Sequence, residues 1–163
     1  MMRELALEKR KLDSLLPVCQ NLCGIHDEDG DSVWRKVWHL KVPERVRTLV
    51  WMTVHNRLLT NSLKSEMGLS HALCDSCGDV EETTLHVMRD CPRAKNIWNC
   101  VIPSKDKAIS YMGDLQHWIS FNIHNSMQWM GSGKWCDFWA YCCYCLWQCG
   151  ETRRFMKSSL FGQ

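Results

Sequence analysis

No two aspartates stand side by side anywhere in the 163 residues. Polymerase chemistry needs paired carboxylates to hold catalytic magnesium, so that chemistry has no seat here. Ribonuclease H chemistry needs several converging acids around two metal ions, whereas the acids of this chain fall in loop-like stretches or beside a cysteine cluster. The G-x-x-x-x-G-K-[ST] phosphate loop, the H-E-x-x-H helix and the G-x-S-x-G elbow are also missing. Cysteine–histidine pairs can be drawn, but none has a supporting signature, and the chain is read as non-catalytic. The longest strongly apolar run, Phe138 to Trp147, is too short to span a bilayer. The N-terminus, MMRELALEKRKLDSLLPV, is charged and lacks the apolar core of a signal peptide. With 11 cysteines, an odd number, this argues against secretion and a disulfide framework. It favours a reducing, intracellular compartment, nucleus or cytoplasm, with no membrane partner. No run of strands, internal repeat or low-complexity tract is evident.

What the chain does have is concentrated between Cys74 and Cys91, in CDSCGDVEETTLHVMRDC. Cys74, Cys77, His86 and Cys91 stand in a C-x2-C-x8-H-x4-C spacing. Zinc prefers four tetrahedral thiolate and imidazole ligands, and a closed four-ligand site is structural. Two cysteines with two residues between them chelate from a tight turn, and Gly78 suits the backbone such a turn needs. Thr83 to Asp90 has no Gly or Pro and is expected to form a short helix carrying His86. Cys91 lies five residues on, so that helix must end or tighten before it, in keeping with Pro92. The competing reading is four ordinary buried residues in a cysteine-rich chain. A second group, Cys19, Cys23 and His26, lacks an obvious fourth ligand.

Hydrophobic residues make up 45% of the chain, enough for a packed core. The pattern is helical. Residues 3–16 read as an amphipathic helix ended by Pro17, and Asp27 to Asp31 as a polar loop. Asp31 or Ser32 is placed to cap a helix through Leu40, with Trp34 and Trp38 on one face. Pro43 suits the first turn of the next helix. Val42, Val46, Leu49, Val50, Val54 and Leu58 recur as its core face. Thr60 or Asn61 caps a third helix that Gly68 ends. Pro92 opens another helix with Ile97 and Trp98 inward, and Pro103 to Lys107 reads as a linker. Asp114 to Ile123 carries the stripe Leu115, Trp118, Ile119 and Ile123. Met130 to Gly133 is a break. Lys134 to Cys149 is apolar nearly all round, a buried or partner-seeking helix whose crowded cysteines, Cys136, Cys142, Cys143, Cys145 and Cys149, are expected to pack in the core. The fold class is mainly α, a small helical domain with the C-x2-C-x8-H-x4-C zinc loop.

The formal net charge of +2 names no partner, but its distribution does more. From Val33 to Lys64 the basic residues Arg35, Lys36, Lys41, Arg45, Arg47, Arg57 and Lys64 face only Glu44. This is either a solvated helix face or a phosphate-contacting surface.

The run KVPERVRTLVWMTVHNRLLT, Lys41 to Thr60, resembles the helical segment of the plant reverse-transcriptase zinc-binding domain, at Lys41, Val42, Pro43, Trp51, Arg57, Leu58 and Thr60. The second block is similar to the same family at Cys74, Cys77, Gly78, Glu82, Thr83, His86, Cys91, Pro92, Ala94, Ile97 and Trp98. Together they cover about residues 31–101. The tail matches less well: Trp147 and Phe155 fit, but Gly150 and Glu151 stand where the family has Arg-Asn. The resemblance implies a non-LTR retrotransposon origin, between a reverse transcriptase and a ribonuclease H domain. The implied organisation is an unplaced segment 1–30, a zinc-binding domain 31–101, and a helical extension 102–163. Two functions compete. One is a zinc-stabilised, non-catalytic module binding RNA or DNA backbone through Lys41, Arg45, Arg47 and Arg57. The other is a structural or protein-interaction scaffold that docks reverse transcriptase or ribonuclease H modules.

Overall fold

A computed structural model describes residues 33–125, 127–129 and 133–161, with side chains through Gly150. The expected helix 3–16, the group Cys19, Cys23 and His26, and the loop Asp27–Asp31 lie outside the described residues. The described chain is mainly helical, as its periodicity predicts.

Helix α1, Val33–His39, leads through Leu40 to α2, Glu44–Val54. Pro43 sits one residue earlier than expected, as the N-cap of α2 with extended backbone, and its carbonyl accepts from the N–H groups of Val46 and Arg47 at 3.0 and 3.1 Å. The expected core stripe holds: Val42, Val46, Leu49, Val50 and Leu58 are buried and Val54 is half-buried. Asn56 ends the turn with φ +50, and the Arg57 N–H reaches back to the Met52 carbonyl at 2.8 Å. Asparagine tolerates this left-handed conformation better than most residues. Helix α3, Asn61–Glu66, is capped by the Thr60 hydroxyl and followed by Gly68 at φ +71.

Beyond the Cys74–Cys91 stretch, α4, Pro92–Val101, starts on proline at its first position. Ala94 and Trp98 turn inward, but Ile97 is 39% exposed, contrary to expectation. Each helical residue advances about 100°, so Ile97 stands off to one side of the stripe through Cys91, Ala94 and Trp98. The expected linker is structured: a 3-10 turn, Ser104–Asp106, runs into the short helix α5, Lys107–Ser110. Asp114 caps α6, Leu115–Ile123, accepting from the His117 N–H at 2.9 Å. Of its predicted stripe, Trp118, Ile119 and Ile123 are buried and Leu115 is half-buried. Two-residue strands, β1 (Gln128–Trp129) and β2 (Gly133–Lys134), pair antiparallel around the expected break.

Helix α7, Trp135–Phe161, is longer than its apolar run suggested. Asp137 in its first turn accepts the Lys41 backbone N–H at 2.8 Å, tying the start of α7 to the α1–α2 connection. Among its cysteines Cys143 is buried, Cys136 and Cys142 are half-buried, and Cys145 and Cys149 are exposed. Burial holds the Cys142 thiol up to about 12 and that of Cys143 well above its usual range. Both therefore remain protonated and act as apolar packing groups.

One core joins the 33–102 and 115–146 segments. Trp118 stands at its centre, edge-on to Trp98 and Trp139 at centroid distances of 5.9 and 5.4 Å. Such pairs add about 0.5–1.5 kcal/mol each beyond the area they bury. Asn122 is the polar member: its amide donates to the Trp118 carbonyl at 2.8 Å and its carbonyl accepts from the Trp135 indole at 2.9 Å.

Trp98 and Trp139 are equally buried, yet only the Trp98 indole N–H has a partner, the Met88 carbonyl at 2.7 Å. Trp98→Phe is therefore expected to destabilise more than Trp139→Phe, by about 1 kcal/mol, the value of a buried hydrogen bond. Urea denaturation of the two variants checks this, and equal losses would refute it.

Candidate metal centre

The site begins where the chain doubles back on itself. Leu73 and Glu81 form an isolated antiparallel bridge, flanked by bonds from the Cys74 N–H to the Val80 carbonyl and from the Glu82 N–H to the Ala72 carbonyl, both 2.8 Å. Inside this bridge the chain turns tightly. The Gly78 N–H closes on the Cys74 carbonyl at 2.8 Å, and the Ser76 N–H points at the Cys74 sulfur at 3.4 Å. Gly78 adopts φ +80, and a Cβ there would meet open space. Glycine is thus needed for conformation rather than for room.

The second pair of side chains comes from a different device. The Thr83 hydroxyl accepts from the His86 N–H at 3.1 Å, starting the helix that carries the imidazole. That helix ends before Cys91, one of the two outcomes its sequence allowed, but it does not tighten on the way. It widens into a π-helical turn, His86–Asp90, in which the Cys91 N–H bonds to the His86 carbonyl at 2.7 Å. In an α-helix five residues advance about 500°, which leaves the two side chains about 140° apart. An i→i+5 turn instead stacks the fifth residue over the first. Pro92 has no N–H to offer the Met88 carbonyl, and the Trp98 indole supplies one. Arg89 locks the turn further. Its buried guanidinium grips both oxygens of Asp90 and donates to the Met112 and Gly113 carbonyls, each at 3.0 Å.

The result brings one donor atom each from Cys74, Cys77, His86 and Cys91 within 4.8 Å of one another. It is the one such grouping of three or more metal-binding side chains among the described residues. Cys74, His86 and Cys91 are buried and Cys77 is half-buried. Zinc bonds of about 2.3 Å to sulfur and 2.0 Å to nitrogen space tetrahedral ligands roughly 3.5–3.8 Å apart. The Cys77 sulfur and His86 Nε2 already stand 3.4 Å apart. The donor set therefore fits zinc. Burial pushes the Cys74 thiol up to about 12 and lowers the His86 pKa. The imidazole is thus neutral, its metal-binding form, while the Cys74 sulfur needs a cation beside it to ionise. Four protein ligands would leave no open position, so an ion held by this set would be structural rather than water-activating.

The family described as zinc-binding in reverse transcriptase matches residues 21–98, just under half of the chain. Residues 21–98 are similar to a reverse-transcriptase zinc-binding domain. Such a domain is an accessory, zinc-holding part of retrotransposon-like proteins and not their catalytic part. The chain is also similar to an Arabidopsis thaliana protein that carries a provisional ribonuclease H name, at 31% identity over 93 residues. That match takes in 56% of this chain and 15% of the relative. No solved structure matches. Among the described residues no helix is long and apolar enough to cross a membrane.

The zinc-binding domain has a supporting residue that no sequence signal singles out. Asn61, at the start of α3, is buried; its amide donates to the Leu73 carbonyl at 2.9 Å and to Asp75 at 3.1 Å, on either side of Cys74. Its own N–H is held by the buried Glu82 carboxylate at 3.0 Å. Six residues of helix carry too little periodicity to show which side chain points at the turn.

The basic residues of the domain do not form one face. Lys41, Arg45 and Arg57 are exposed, with Arg45 lying over the Tyr144 ring at 5.6 Å. Arg47, two residues from Arg45, falls on the opposite flank of α2. Its guanidinium pairs with Glu44 at 2.7 Å and donates to the Leu40 and Val42 carbonyls at 3.2 and 3.3 Å.

Metal analysis by mass is expected to find one zinc per chain, lost in Cys74→Ser together with much of the circular dichroism of the 74–101 region, since site and fold are coupled. Asn61→Ala is expected to keep the fold but weaken zinc about 10–100-fold in a chelator competition. Full zinc content in Cys74→Ser would break the ligand assignment.

Proposed function

We propose that this chain is a zinc-folded, non-catalytic module that binds nucleic-acid backbone through Lys41, Arg45 and Arg57, with Cys74, Cys77, His86 and Cys91 as the zinc ligands. In this reading the domain occupies residues 31–101, and segment 102–163 completes its core. Its setting is a longer protein with reverse transcriptase or ribonuclease H modules as neighbours.

One observation carries the reading. Glu44 is the sole acidic residue between Val33 and Lys64, and Arg47 takes its carboxylate. The exposed cations Lys41, Arg45 and Arg57, before, on and after α2, thus keep their charge uncompensated by any acid of that segment. The metal centre does not supply the attraction. Three thiolates and a neutral imidazole around a divalent ion carry a net negative charge. Arg47 acts as a positioning residue that pins the start of α2. Trp51 and His55, ring centroids 4.6 Å apart, lie half-buried near Arg57. Burial, then the Arg57 charge, lowers the His55 pKa, leaving a neutral ring suited to stacking on a base.

Binding to labelled single-stranded RNA and to duplex DNA, measured across a salt series, tests this. Affinity is expected to fall steeply with salt and to depend little on sequence. Lys41→Ala/Arg45→Ala is expected to flatten the log–log salt slope by roughly 0.7–0.9 per lost contact. Arg47→Ala is expected instead to lower thermal stability and to bind nearly as well. Affinity that ignores salt, or a double variant that binds normally, would remove the proposal.

A further inference from the structure

Residues 59–82 are built inside out. This lobe runs from Leu59 through α3 and the metal-binding turn to Glu82. Its buried side chains are Thr60, Asn61, Cys74 and Glu82, with no buried aliphatic or aromatic side chain among them. Five of the eleven large apolar side chains exposed among the described residues lie here instead: Leu59, Met67, Leu69, Leu73 and Val80, 47–67% exposed. Polar bonds from Asn61 and Glu82 and the four-ligand cluster hold the lobe where apolar packing ordinarily would.

Single exposed apolar residues need no explanation, but a concentration of them in one small lobe marks an interaction site. Backbone ties keep these residues in one neighbourhood. The Leu69 N–H bonds the Lys64 carbonyl at the end of α3 at 2.8 Å. Leu73 bridges to Glu81, next to Val80, and its carbonyl is held by Asn61 at the start of α3.

The charge around these side chains selects the partner. Glu66, Asp75, Asp79 and Glu81 are exposed, while Lys64 is the only lysine or arginine between Leu59 and Glu82. Nucleic-acid backbone is repelled by such a surface. We propose that the 59–82 lobe docks a protein partner: a helix presenting leucine-like side chains flanked by lysine or arginine. Apolar anchors supply affinity and the acidic residues supply orientation. The nucleic-acid contacts proposed above lie outside the lobe, so the two assignments stand or fall separately.

The test titrates the full-length, zinc-loaded chain against a fluorescein-labelled synthetic helix with leucines on one face and lysines and arginines beside them, followed by anisotropy. Saturable binding is expected. Leu69→Ser/Leu73→Ser is expected to weaken it at least about tenfold, and Asp79→Asn/Glu81→Gln to do so separately. Ile109→Ser/Met112→Ser, which removes exposed apolar side chains elsewhere, is expected to leave it unchanged. The proposal is overturned if the wild type does not bind, if a peptide with serine for leucine binds equally, or if the control pair loses as much. It is also overturned by a dimer, seen in sedimentation without peptide, that Leu69→Ser/Leu73→Ser dissolves. That outcome would give the lobe to a second copy of the chain.

Discussion

Cys91 can share a metal with His86 only because the helix between them widens by one residue. A regular α-helix would carry the thiol about 140° away from the imidazole. The single bond from the Cys91 N–H to the His86 carbonyl, at 2.7 Å, is what redirects it. A π-helical turn is a poor structure by itself, so the surroundings must hold it open. Pro92 prevents regular helical bonding from continuing through its position. The Trp98 indole satisfies the carbonyl left over, and Arg89 anchors the turn to the Met112–Gly113 segment. The metal centre thus depends on the aromatic core behind it, because the side chain that serves the turn is also a wall of that core.

The described chain is held together in two different ways. Around Trp98, Trp118 and Trp139, apolar area leaves water and aromatic edges meet faces. Around Cys74 to Glu82, almost nothing apolar is buried, and cohesion comes from Asn61, Glu82 and a set of donors suited to zinc. Small lobes that cannot assemble a hydrophobic core commonly rely on a metal for this reason. The arrangement frees leucine, methionine and valine side chains to face outward, where a core-built lobe would have consumed them. It also separates charge. The basic segment belongs to α1 and α2, and the acidic one to the metal-binding lobe.

Much of this was legible in the residues. The spacing of Cys74, Cys77, His86 and Cys91 announced a group of metal-binding side chains, and the fold brings their donor atoms together. Thr60 or Asn61 announced a helix start, and Gly68 a helix end, because capping chemistry acts within a few residues. The stripes of α2 and α6 followed from apolar spacing. Where expectation failed, the cause lay further along the chain. Ile97 was grouped with Trp98 by adjacency, yet only one of them meets the core. The 103–107 stretch was read as a linker, although it folds into a 3-10 turn that runs into α5, and Arg89 fixes the chain just beyond at the Met112 and Gly113 carbonyls. Arg45 and Arg47 looked alike, and the carbonyls of Leu40 and Val42 set them apart.

The sequence by itself determined which atoms are available to a metal, that the elements are helical, and where most of them begin and end. These follow from ligand chemistry and from bonds spanning four residues or fewer. Only the tertiary structure decided how the four donors meet, which arginine stays on the surface, and which apolar side chains are left outside. Those outcomes rest on partners that are distant in sequence, such as Asn61 with Leu73 and Asp75, and Arg89 with Met112 and Gly113. A local pattern carries no record of what a side chain will meet across such a distance.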